Sequence, residues 1–448
     1  MPESHHEPTF NLKVAVRETG LKPDTLRAWE RRYGLPQPSR SGGGHRLYSQ
    51  RDIDTLKWLV ARQQEGMSIS RATELWFKLI EDGEDPLHSP ESREEQSVPV
   101  VHGANGNVLE ELRQKWVTAC IQFKEPVAEQ ILHQAFSLYQ PEIVVIELLL
   151  KGIVEIGNGW YTGEITVQQE HFASELAIRR VEAMIMASPP PHRSKRILLA
   201  CPPEENHVFS QLILNLFLRR RGWDVLYLGA NVPPERLQLT VKTVAPSLVV
   251  MSAQQLTTAA ALFQISHLLA DIQMPLAYGG LIFNRMPGLR ARIPGYFLGE
   301  KIENAVPTIE KWLTAATSLK SKDAEESVSS RYRVALDRYL DEQKAIEIEV
   351  WRLLKNTGFY SDELQRSYSY LASSIASALR LGDINFLNED ILWAEKLLCH
   401  RDIPSATLSG LLEIYHRAAL ANLDDGAQIV IDWLSTAGNL VGSKQNKL

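Results

Sequence analysis

The hydrophobic positions along the chain follow two different periods. Between Val108 and Met186, apolar residues recur every three or four positions, with few helix breakers. The stretches with this pattern are residues 108–123, 126–139, 141–163 and 166–186. Such spacing predicts amphipathic helices that bury their apolar faces against one another, as in a four-helix bundle. Beyond the prolines at 188–195 the pattern changes, which indicates a different architecture.

From residue 193 to residue 320, short apolar runs alternate with longer helical stretches. The predicted strands are residues 196–201, 224–228, 247–251 and 274–278. The predicted helices between them are residues 206–221, 233–243 and 257–271. Alternation at these lengths predicts a parallel, doubly wound sheet, in which ligands bind beyond the carboxyl ends of the strands.

The two ends of the chain are predicted to fold apart from this centre. Residues 82–106 are rich in acidic residues, Pro, Ser and Gly and show no apolar period, which predicts a flexible linker. Residues 318–331 are polar and precede another block with helical periodicity. The sequence therefore predicts a multidomain α+β and α/β protein. Its parts are a head at 1–81, the linker at 82–106, a helical bundle at 107–188, an α/β domain at 193–320 and an all-α domain at 325–448.

Composition narrows the classes of protein that fit. No stretch approaches the about 20 apolar residues that span a bilayer, and the first residues lack the layout of a secretory signal. Cys120, Cys201 and Cys399 lie far apart, which argues against a disulfide framework and against a thiolate metal site. We therefore expect a cytoplasmic protein with reduced thiols and no membrane partner.

The head has a positive net charge, opposite in sign to that of the whole chain. The formal net charge is −6, yet residues 10–62 carry eleven Lys and Arg against five Asp and Glu. A local excess of positive charge on an acidic protein is typical of a surface that binds nucleic acid. The same excess also fits a solvated helical domain with scattered arginines, so charge alone leaves both interpretations open.

The sequence of the head favours DNA binding. A short helix, a turn and a helix over Pro23–Tyr33 predict a helix-turn-helix, and three consecutive glycines at 42–44 predict a hairpin. The segments "TLRAWERRYGL" and "GGHRLYSQRDI" closely resemble the winged-helix domain of the MerR family over nearly all of residues 10–75. The resemblance implies that duplex operator DNA is a partner. The implied contact residues are Arg27, Arg31, Arg32 and Tyr33 near the recognition helix, and Arg40, His45, Arg46 and Tyr48 in the wing.

Polar groups follow three of the predicted strands. "CPPEENHVFS" follows the first, "MSAQQL" ends the third and "YGGL" ends the fourth. The dinucleotide fingerprint G-x-G-x-x-G is absent from the first turn, which argues against a nicotinamide cofactor. The arrangement resembles the cobalamin-binding domain, with its acid-x-His-x-x-Gly, Ser-x-Leu and Gly-Gly pattern. The matching residues are Glu205, His207 and Ser210; Ser252 and Gln254; and Gly279 and Gly280.

This resemblance implies a role for each matching residue. His207 would be the lower ligand of cobalt, and Glu205 would bond the other ring nitrogen and raise the basicity of the imidazole. Gly279 and Gly280 would let the backbone approach the nucleotide tail of the cofactor, and Ser252 would bond to that tail. Ser210 in place of glycine and Gln254 in place of leucine depart from the family pattern, and both departures concern the packing of the tail.

The bundle carries a second group of candidate residues. Trp160, nine intervening residues and the Glu170-His171 pair match the signature of the light-sensing cobalamin-dependent repressors of the CarH type. A Trp, a Glu and a His on amphipathic helices are more often ordinary core and surface residues, so the order of the domains adds weight to the match. The resemblance implies that Trp160 packs over the adenosyl group of adenosylcobalamin and that Glu170 bonds to it. His171 would be an upper cobalt ligand after light releases that group.

The combined resemblance predicts a light-responsive transcriptional regulator, a repressor rather than an enzyme. Cofactor binding would favour a homo-oligomer, a dimer or tetramer, on operator DNA, and light would separate it. Two alternatives stay open at this point: a cobalamin-sensing regulator that ignores light, and a corrinoid methyl carrier. A methyl carrier shares the sheet and the histidine, but it has no need of a DNA-binding head.

Residues 325–448 are an additional segment, because the simplest repressors of this type end at the sheet domain. Their helical pattern predicts a packed domain with one buried cysteine. A weak similarity to helical extensions of cobalamin photoreceptors that carry a bilin suggests a second chromophore and a two-chromophore photoreceptor. In that alternative Cys399, His400, Tyr415 and His416 would line the pocket.

Overall fold

The computed structural model describes residues 10–19, 21–40, 46–64, 67–81, 85–87, 106–315, 319–355 and 362–441. The chain divides into two compact units, residues 1–102 and residues 103–448. The predicted linker 82–106 lies outside the described residues except for 85–87 and 106.

The first unit is a helical head with a small antiparallel sheet. Its helices are α1 (Leu12–Thr19), α2 (Pro23–Tyr33), α3 (Gln50–Gln64) and α4 (Ile69–Glu81). Its strands are β1 (Phe10–Asn11), β2 (Ser39–Arg40) and β3 (Arg46–Tyr48), in the order β1-β3-β2. The predicted helix Pro23–Tyr33 is confirmed, and it ends at Gly34 in the left-handed conformation (φ 73°). Arg40 pairs with Arg46 across β2 and β3, so the predicted hairpin has its strands, while its glycine turn lies outside the described residues.

The second unit begins with the predicted four-helix bundle. Its first two helices are α5 (Gly106–Ile121) and α6 (Glu125–Leu138). The third runs without a break through α7 (Pro141–Val144), a π-helical segment (Val145–Leu150) and α8 (Lys151–Tyr161), and the fourth is α9 (Val167–Met186). Thr166 and Gln169 form a capping box that fixes the start of α9, because each side chain bonds to the backbone of the other. The turn between α8 and α9 therefore separates Trp160 from Glu170.

A five-stranded parallel sheet follows, in the order β5-β4-β6-β7-β8. The strands are β4 (Arg196–Ala200), β5 (Asp224–Tyr227), β6 (Leu248–Ser252), β7 (Leu276–Gly279) and β8 (Tyr296–Phe297). The helices are α10 (Phe209–Arg220), α11 (Leu237–Val244), α12 (Leu256–Asp271), α13 (Leu281–Arg285) and α14 (Ala305–Thr314). All four predicted strands are confirmed, and the doubly wound α/β class with them. The helix predicted at 206–221 begins only at Phe209, which leaves Glu205 and His207 in a loop.

The sheet divides two hydrophobic cores because its side chains alternate between its faces. Ile197 and Leu199 of β4 belong to the core shared with the bundle, α10 and α14. Leu198 and Ala200 belong to the core shared with α11, α12 and the C-terminal helices. The sheet therefore lies between the core shared with the bundle on one face and the core shared with the C-terminal helices on the other.

The C-terminal region is entirely helical where it is described. Its helices are α15 (Ser330–Lys355), α16 (Asp362–Leu381), α17 (Phe386–Cys399), α18 (Ser405–Asn422) and α19 (Gln428–Ala437). Tyr339 and Tyr415 are fully buried, and their hydroxyls share a hydrogen bond of 2.6 Å. The predicted all-α class is therefore confirmed. None of the described helices is both long enough and apolar enough to cross a bilayer.

Candidate functional site

A buried carboxylate and an exposed imidazole face each other in the loop between β4 and α10. The Glu205 side chain is 0% exposed, whereas the His207 side chain is 62% exposed. Glu205 Oε1 lies 2.6 Å from His207 Nδ1 and accepts the His207 backbone N–H at 3.0 Å. Because Nδ1 faces the carboxylate, Nε2 is the ring nitrogen that remains for a ligand.

The second oxygen of Glu205 ties this loop to the end of β6. Glu205 Oε2 accepts the backbone N–H of Gln254 and the hydroxyl of Thr258, each at 2.7 Å. Burial alone raises the pKa of Glu205, but the hydrogen bonds from His207, Thr258 and Gln254 outweigh it, so the pKa is lowered. The carboxylate is therefore ionised, and it raises the pKa of His207 chiefly through their hydrogen bond. A carboxylate held in this way fixes the orientation of the imidazole.

Two serine hydroxyls near this loop are buried with incomplete hydrogen bonding. The Oγ atoms of Ser252, at the end of β6, and Ser210, on α10, are both buried without a hydrogen bond of ordinary geometry. Ser252 lies beside the Cys201 thiol and lowers its pKa, although burial dominates and raises that pKa to about 12. Buried hydroxyls normally have full partners, so the Ser210 hydroxyl, and the Ser252 hydroxyl with only the Cys201 thiol beside it, fit a site that a polar ligand completes.

The glycine pair after β7 combines a tight backbone contact with open space. Gly280 has φ +119°, and a Cβ there would lie 2.0 Å from the carbonyl oxygen of Ala253. A Cβ on Gly279 would meet no atom within 4 Å. Gln254 joins the two loops, because its Oε1 accepts the backbone N–H of Leu281 at 2.9 Å. Gly279 therefore borders space that a ligand can enter, while Gly280 permits the close approach of two backbones.

The candidate residues of the bundle lie at the facing ends of α8 and α9. Trp160 is half-buried on the last turn of α8. Glu170 is 27% exposed and His171 is 73% exposed on the first turn of α9. Glu170 Oε2 lies 2.7 Å from His171 Nδ1, and Glu170 Oε1 accepts the Ser174 hydroxyl at 2.7 Å. Glu170 also contributes to the raised pKa of His207, so its charge acts across the gap between bundle and sheet.

The donor set fits a corrinoid better than a bare metal ion. Within the described ranges, no group of three or more His, Cys, Asp or Glu side chains could hold a metal. A corrin ring supplies the equatorial ligands itself, so one oriented imidazole from the protein suffices. His207 is the candidate for that imidazole, and Gly279, which pairs with Ser252 across β6 and β7, borders open space.

The head exposes part of the predicted DNA-binding set. Arg27, Arg31 and Arg32 of α2 are exposed, and Arg32 stacks on the Tyr33 ring at 5.5 Å. Arg46 on β3 forms an ion pair of 2.7 Å with Glu30 of α2, which links the hairpin to the helix.

The structure does not place the other three predicted wing residues on an exposed surface. Tyr48 is 1% exposed and packs in the core of the head, so it supports the wing and does not present its ring to a phosphate. His45 and the side chain of Arg40 lie outside the described residues.

Thr258 was missed by the sequence analysis although it completes the Glu205 network. It lies 53 positions from Glu205 and belongs to no motif. The parallel pairing of β4 with β6 brings the ends of the two strands together, so only the sheet order could have revealed the contact.

Family models match both the head and the bundle. The model described as MerR HTH family regulatory protein matches residues 10–76, and the model described as B12 binding domain matches residues 112–184. Among solved structures, the monomethylamine corrinoid protein of Methanosarcina barkeri aligns with 45% of this chain and 99% of that one. The alignment has 16% identity and a TM-score of 0.37.

Two proteins of Myxococcus xanthus are similar over more than half of the chain. The HTH-type transcriptional repressor CarH is 31% identical over 249 residues, which is 55% of this chain and 79% of that protein. The HTH-type transcriptional repressor CarA is 32% identical over 247 residues, with 54% and 76% covered. The chain therefore belongs to the CarH–CarA family, as a MerR-type transcriptional regulator with a B12-binding domain.

Proposed function

We propose that this regulator senses light through adenosylcobalamin and converts the signal into a change of oligomeric state and of operator binding. One observation carries the proposal. The exposed imidazole of His207 is oriented by the buried carboxylate of Glu205, with Nδ1 of the ring 2.6 Å from Glu205 Oε1. We propose a repressor without enzymatic activity in the cytoplasm, since CarH and CarA are repressors.

Each side of the gap has its own part in holding the cofactor. On the sheet side, we assign the lower cobalt ligand to His207 and its orientation to Glu205. Ser252, whose buried hydroxyl lies beside the Cys201 thiol, and Gly279 and Gly280 would hold the nucleotide tail.

On the bundle side, Trp160 would cover the upper face and Glu170 would bond the adenosyl group. His171 is the second candidate cobalt ligand, since its ring is exposed beside Glu170.

Bound adenosylcobalamin supplies a cobalt–carbon bond that light breaks. The chain's part is to hold the bundle and the sheet in one arrangement while Trp160 and Glu170 are engaged, and in another when they are not. A ligand shifts such an equilibrium only through its different affinity for the two arrangements. Linked heads in an oligomer bind neighbouring half-sites more tightly than single heads, because each raises the effective concentration of the next.

The exposed arginines of α2 support the DNA-binding part of the proposal. We assign phosphate and base contacts to Arg27, Arg31 and Arg32, with Tyr33 beside them. Arg46 would position the wing through Glu30. Replacing Arg31 by alanine should lower affinity for duplex DNA and reduce its salt dependence by about one ion.

The test is an illumination experiment on the full chain loaded with adenosylcobalamin in the dark. Absorption, molar mass by light scattering and binding to operator duplexes selected from a random library are compared before and after green light. We expect all three to change. An unchanged complex after illumination would instead support a cobalamin sensor that ignores light, and methyl transfer to an acceptor would support a methyl carrier.

His207→Ala separates the lower ligand from the rest of the proposal. The variant should keep the fold, because the ring is largely exposed, and should lose the spectrum of histidine-ligated cobalt. A spectrum identical to that of the wild type would remove His207 from the site. His192→Ala is a matched control, since that imidazole lies against Gly222, away from the histidine loop.

The structure gives no support to a bilin pocket built from the predicted residues. A cavity of about 800 Å³ lies between α12 and the C-terminal helices, but Cys399, His400, Tyr415 and His416 do not line it. Tyr415 is buried against Tyr339, and the Cys399 thiol lies 3.3 Å from the Ser405 hydroxyl.

A further inference from the structure

The end of α8 that carries Trp160 is held by the C-terminal helices. The Tyr161 ring stacks on the Trp393 ring of α17, with 5.8 Å between centroids and 26° between planes. The Tyr161 hydroxyl donates to the Trp393 carbonyl oxygen at 3.3 Å. Two independent contacts therefore fix the residue next to Trp160.

His400, just after α17, adds a second point of attachment. Its ring packs edge-on against Tyr161 at 5.4 Å, and its Nδ1 lies 3.2 Å from the Tyr161 carbonyl oxygen, to which it donates. Gly163 has φ +81°, and a Cβ there would lie 2.7 Å from the His400 carbonyl oxygen. The backbones of the α8–α9 turn and of the loop after α17 thus lie in direct contact.

Arg401 contacts the indole of Trp160 itself. Its guanidinium carbon lies 4.8 Å from the centre of the Trp160 ring, within the range of a cation–π interaction. Arg401 is exposed, so its removal leaves the hydrophobic cores intact. We use the term clamp for Trp393, His400 and Arg401 together.

The clamp also contacts the sheet side of the site. The Arg285 guanidinium lies 5.6 Å from the centre of the Trp393 ring, so Trp393 contacts Arg285 as well as Tyr161. Arg285 ends α13, the short helix that begins directly after Gly280. One tryptophan of the C-terminal region therefore touches both the bundle and the segment that follows the glycine pair.

From these contacts we propose that Arg401 is a positioning residue, which holds the Trp160 indole over the upper face of the cofactor. The clamp as a whole couples the C-terminal region to that face. The proposal rests on the role given to Trp160 in the proposed function. Trp160 lies on the last turn of α8, and terminal turns of helices open easily, so an external contact changes how long the indole stays in place.

The test compares two corrinoids in the dark, with the full chain. Adenosylcobalamin offers the indole an adenosyl group and methylcobalamin does not, so the ratio of their dissociation constants measures the upper-face contact. In R401M, which keeps an unbranched apolar stem but removes the cation, the preference for adenosylcobalamin should fall roughly three- to tenfold. R401K keeps the cation and should retain most of the preference.

Two further measurements distinguish positioning from a general effect on folding. In the cofactor-free protein, amide hydrogen exchange in residues 159–166 should be faster in R401M than in the wild type or R401K. In a W160L background, R401M should change the corrinoid ratio no further, because the two residues act through one contact.

Each other outcome has a definite meaning. If the wild type itself does not prefer adenosylcobalamin, the proposed role of Trp160 fails, and this inference fails with it. If the wild type has the preference and R401M keeps both the preference and the slow exchange, the proposed function stands and Arg401 has no positioning role. An equal loss of affinity for both corrinoids, or additive effects of R401M and W160L, would also overturn the inference.

Discussion

The two sides of the candidate site are built in opposite ways. On the sheet side, Glu205 is fully buried; its Oε1 bonds to His207 of its own loop, and its Oε2 bonds to Gln254 and Thr258 from a distant part of the chain. On the bundle side, Glu170 bonds only to His171 and Ser174 of its own helix in the contacts described above. The imidazole proposed as the lower ligand is therefore held by buried bonds, whereas Glu170 and His171, proposed for the upper face, are held by groups of their own helix.

This difference suits a sensor. A ligand that must stay bound through the signal needs an imidazole whose orientation costs nothing to maintain, and buried supporting bonds provide it. A surface that must respond to the loss of one chemical group needs a low barrier to rearrangement, which exposed side chains at helix ends provide. The clamp is the place where the C-terminal region can adjust that barrier.

The largest effect is expected at the glycine pair, where the sheet side is most rigid. In Gly280→Ala, the new Cβ would overlap the Ala253 carbonyl oxygen at 2.0 Å in a backbone conformation with φ +119°. We expect the free energy of unfolding to fall by about 4 kcal/mol, from strain together with overpacking. Urea denaturation of the cofactor-free protein measures this loss.

Gly279→Ala is the matched control for Gly280→Ala. Its Cβ meets no atom within 4 Å, so the stability of the cofactor-free protein should be nearly unchanged. Corrinoid affinity should nevertheless fall about tenfold, because the methyl group enters the space proposed for the nucleotide tail. Equal stability losses in the two variants would show that the close contact between Gly280 and the Ala253 carbonyl oxygen does not determine the cost of a Cβ.

The next largest effect is a difference in stability between the variants Glu205→Gln and Glu170→Gln. In Glu205→Gln, an amide N–H₂ replaces one carboxylate oxygen and faces donors on His207, Gln254 or Thr258. We expect the loss of about 3 kcal/mol that follows when a buried, hydrogen-bonded charge is removed. Glu170→Gln should cost less than about 1 kcal/mol, since its partners are partly exposed. Similar costs for both, in the same denaturation experiment, would contradict the contrast between the two sides.

The sequence predicted Glu205 and His207 on the sheet side of the site, but not the residues that hold Glu205 in place. Glu205 and His207 follow a strand that its apolar run marks clearly, and a spacing of two residues places both in one loop. Thr258 and the Gln254 backbone could not be predicted, because they meet Glu205 only through the order of strands β4 and β6.

The bundle side shows the same limit more strongly. Trp160, Glu170 and His171 lie in amphipathic helices, which the period identified. The contact between Tyr161 and Trp393 joins residues 232 positions apart, and neither element has a pattern that points to the other. The sequence also suggested that Cys399, His400, Tyr415 and His416 line a pocket. Tyr415 is instead fully buried in the core of the C-terminal helices. Strand β8 was missed because two residues carry no readable period.

A smaller effect is expected from Thr258→Val, which removes one donor to Glu205 with little change of shape. Stability should fall by about 2 kcal/mol, because the hydrogen bond to a buried charge and the bond from the Gln255 backbone N–H (3.1 Å) are both lost. The affinities for adenosylcobalamin and methylcobalamin should fall by the same factor, since the change lies on the sheet side. A selective loss of one corrinoid would place Thr258 in contact with the upper face and break the comparison.

The smallest effect concerns Asp390 on α17, one turn before Trp393 of the clamp. Burial raises the pKa of Asp390, and hydrogen bonds from Ser374 (2.8 Å) and Tyr370 (2.9 Å) offset this only in part. A carboxyl whose folded-state pKa is raised stabilises the fold below its ordinary pKa, near 4, and that contribution is lost as the pH rises through the folded-state value.

Asp390→Asn is neutral at every pH, so the comparison isolates the charge. Relative to the wild type, the variant should gain stability as the pH rises above about 4, by about 1.4 kcal/mol for each pKa unit of the shift. Thermal unfolding at several pH values measures the difference, with Asp432→Asn on exposed α19 surface as control. A difference that stays constant with pH would mean that Ser374 and Tyr370 fully compensate the buried charge. The helix that carries Trp393 of the clamp would then have no acid-dependent component of its stability.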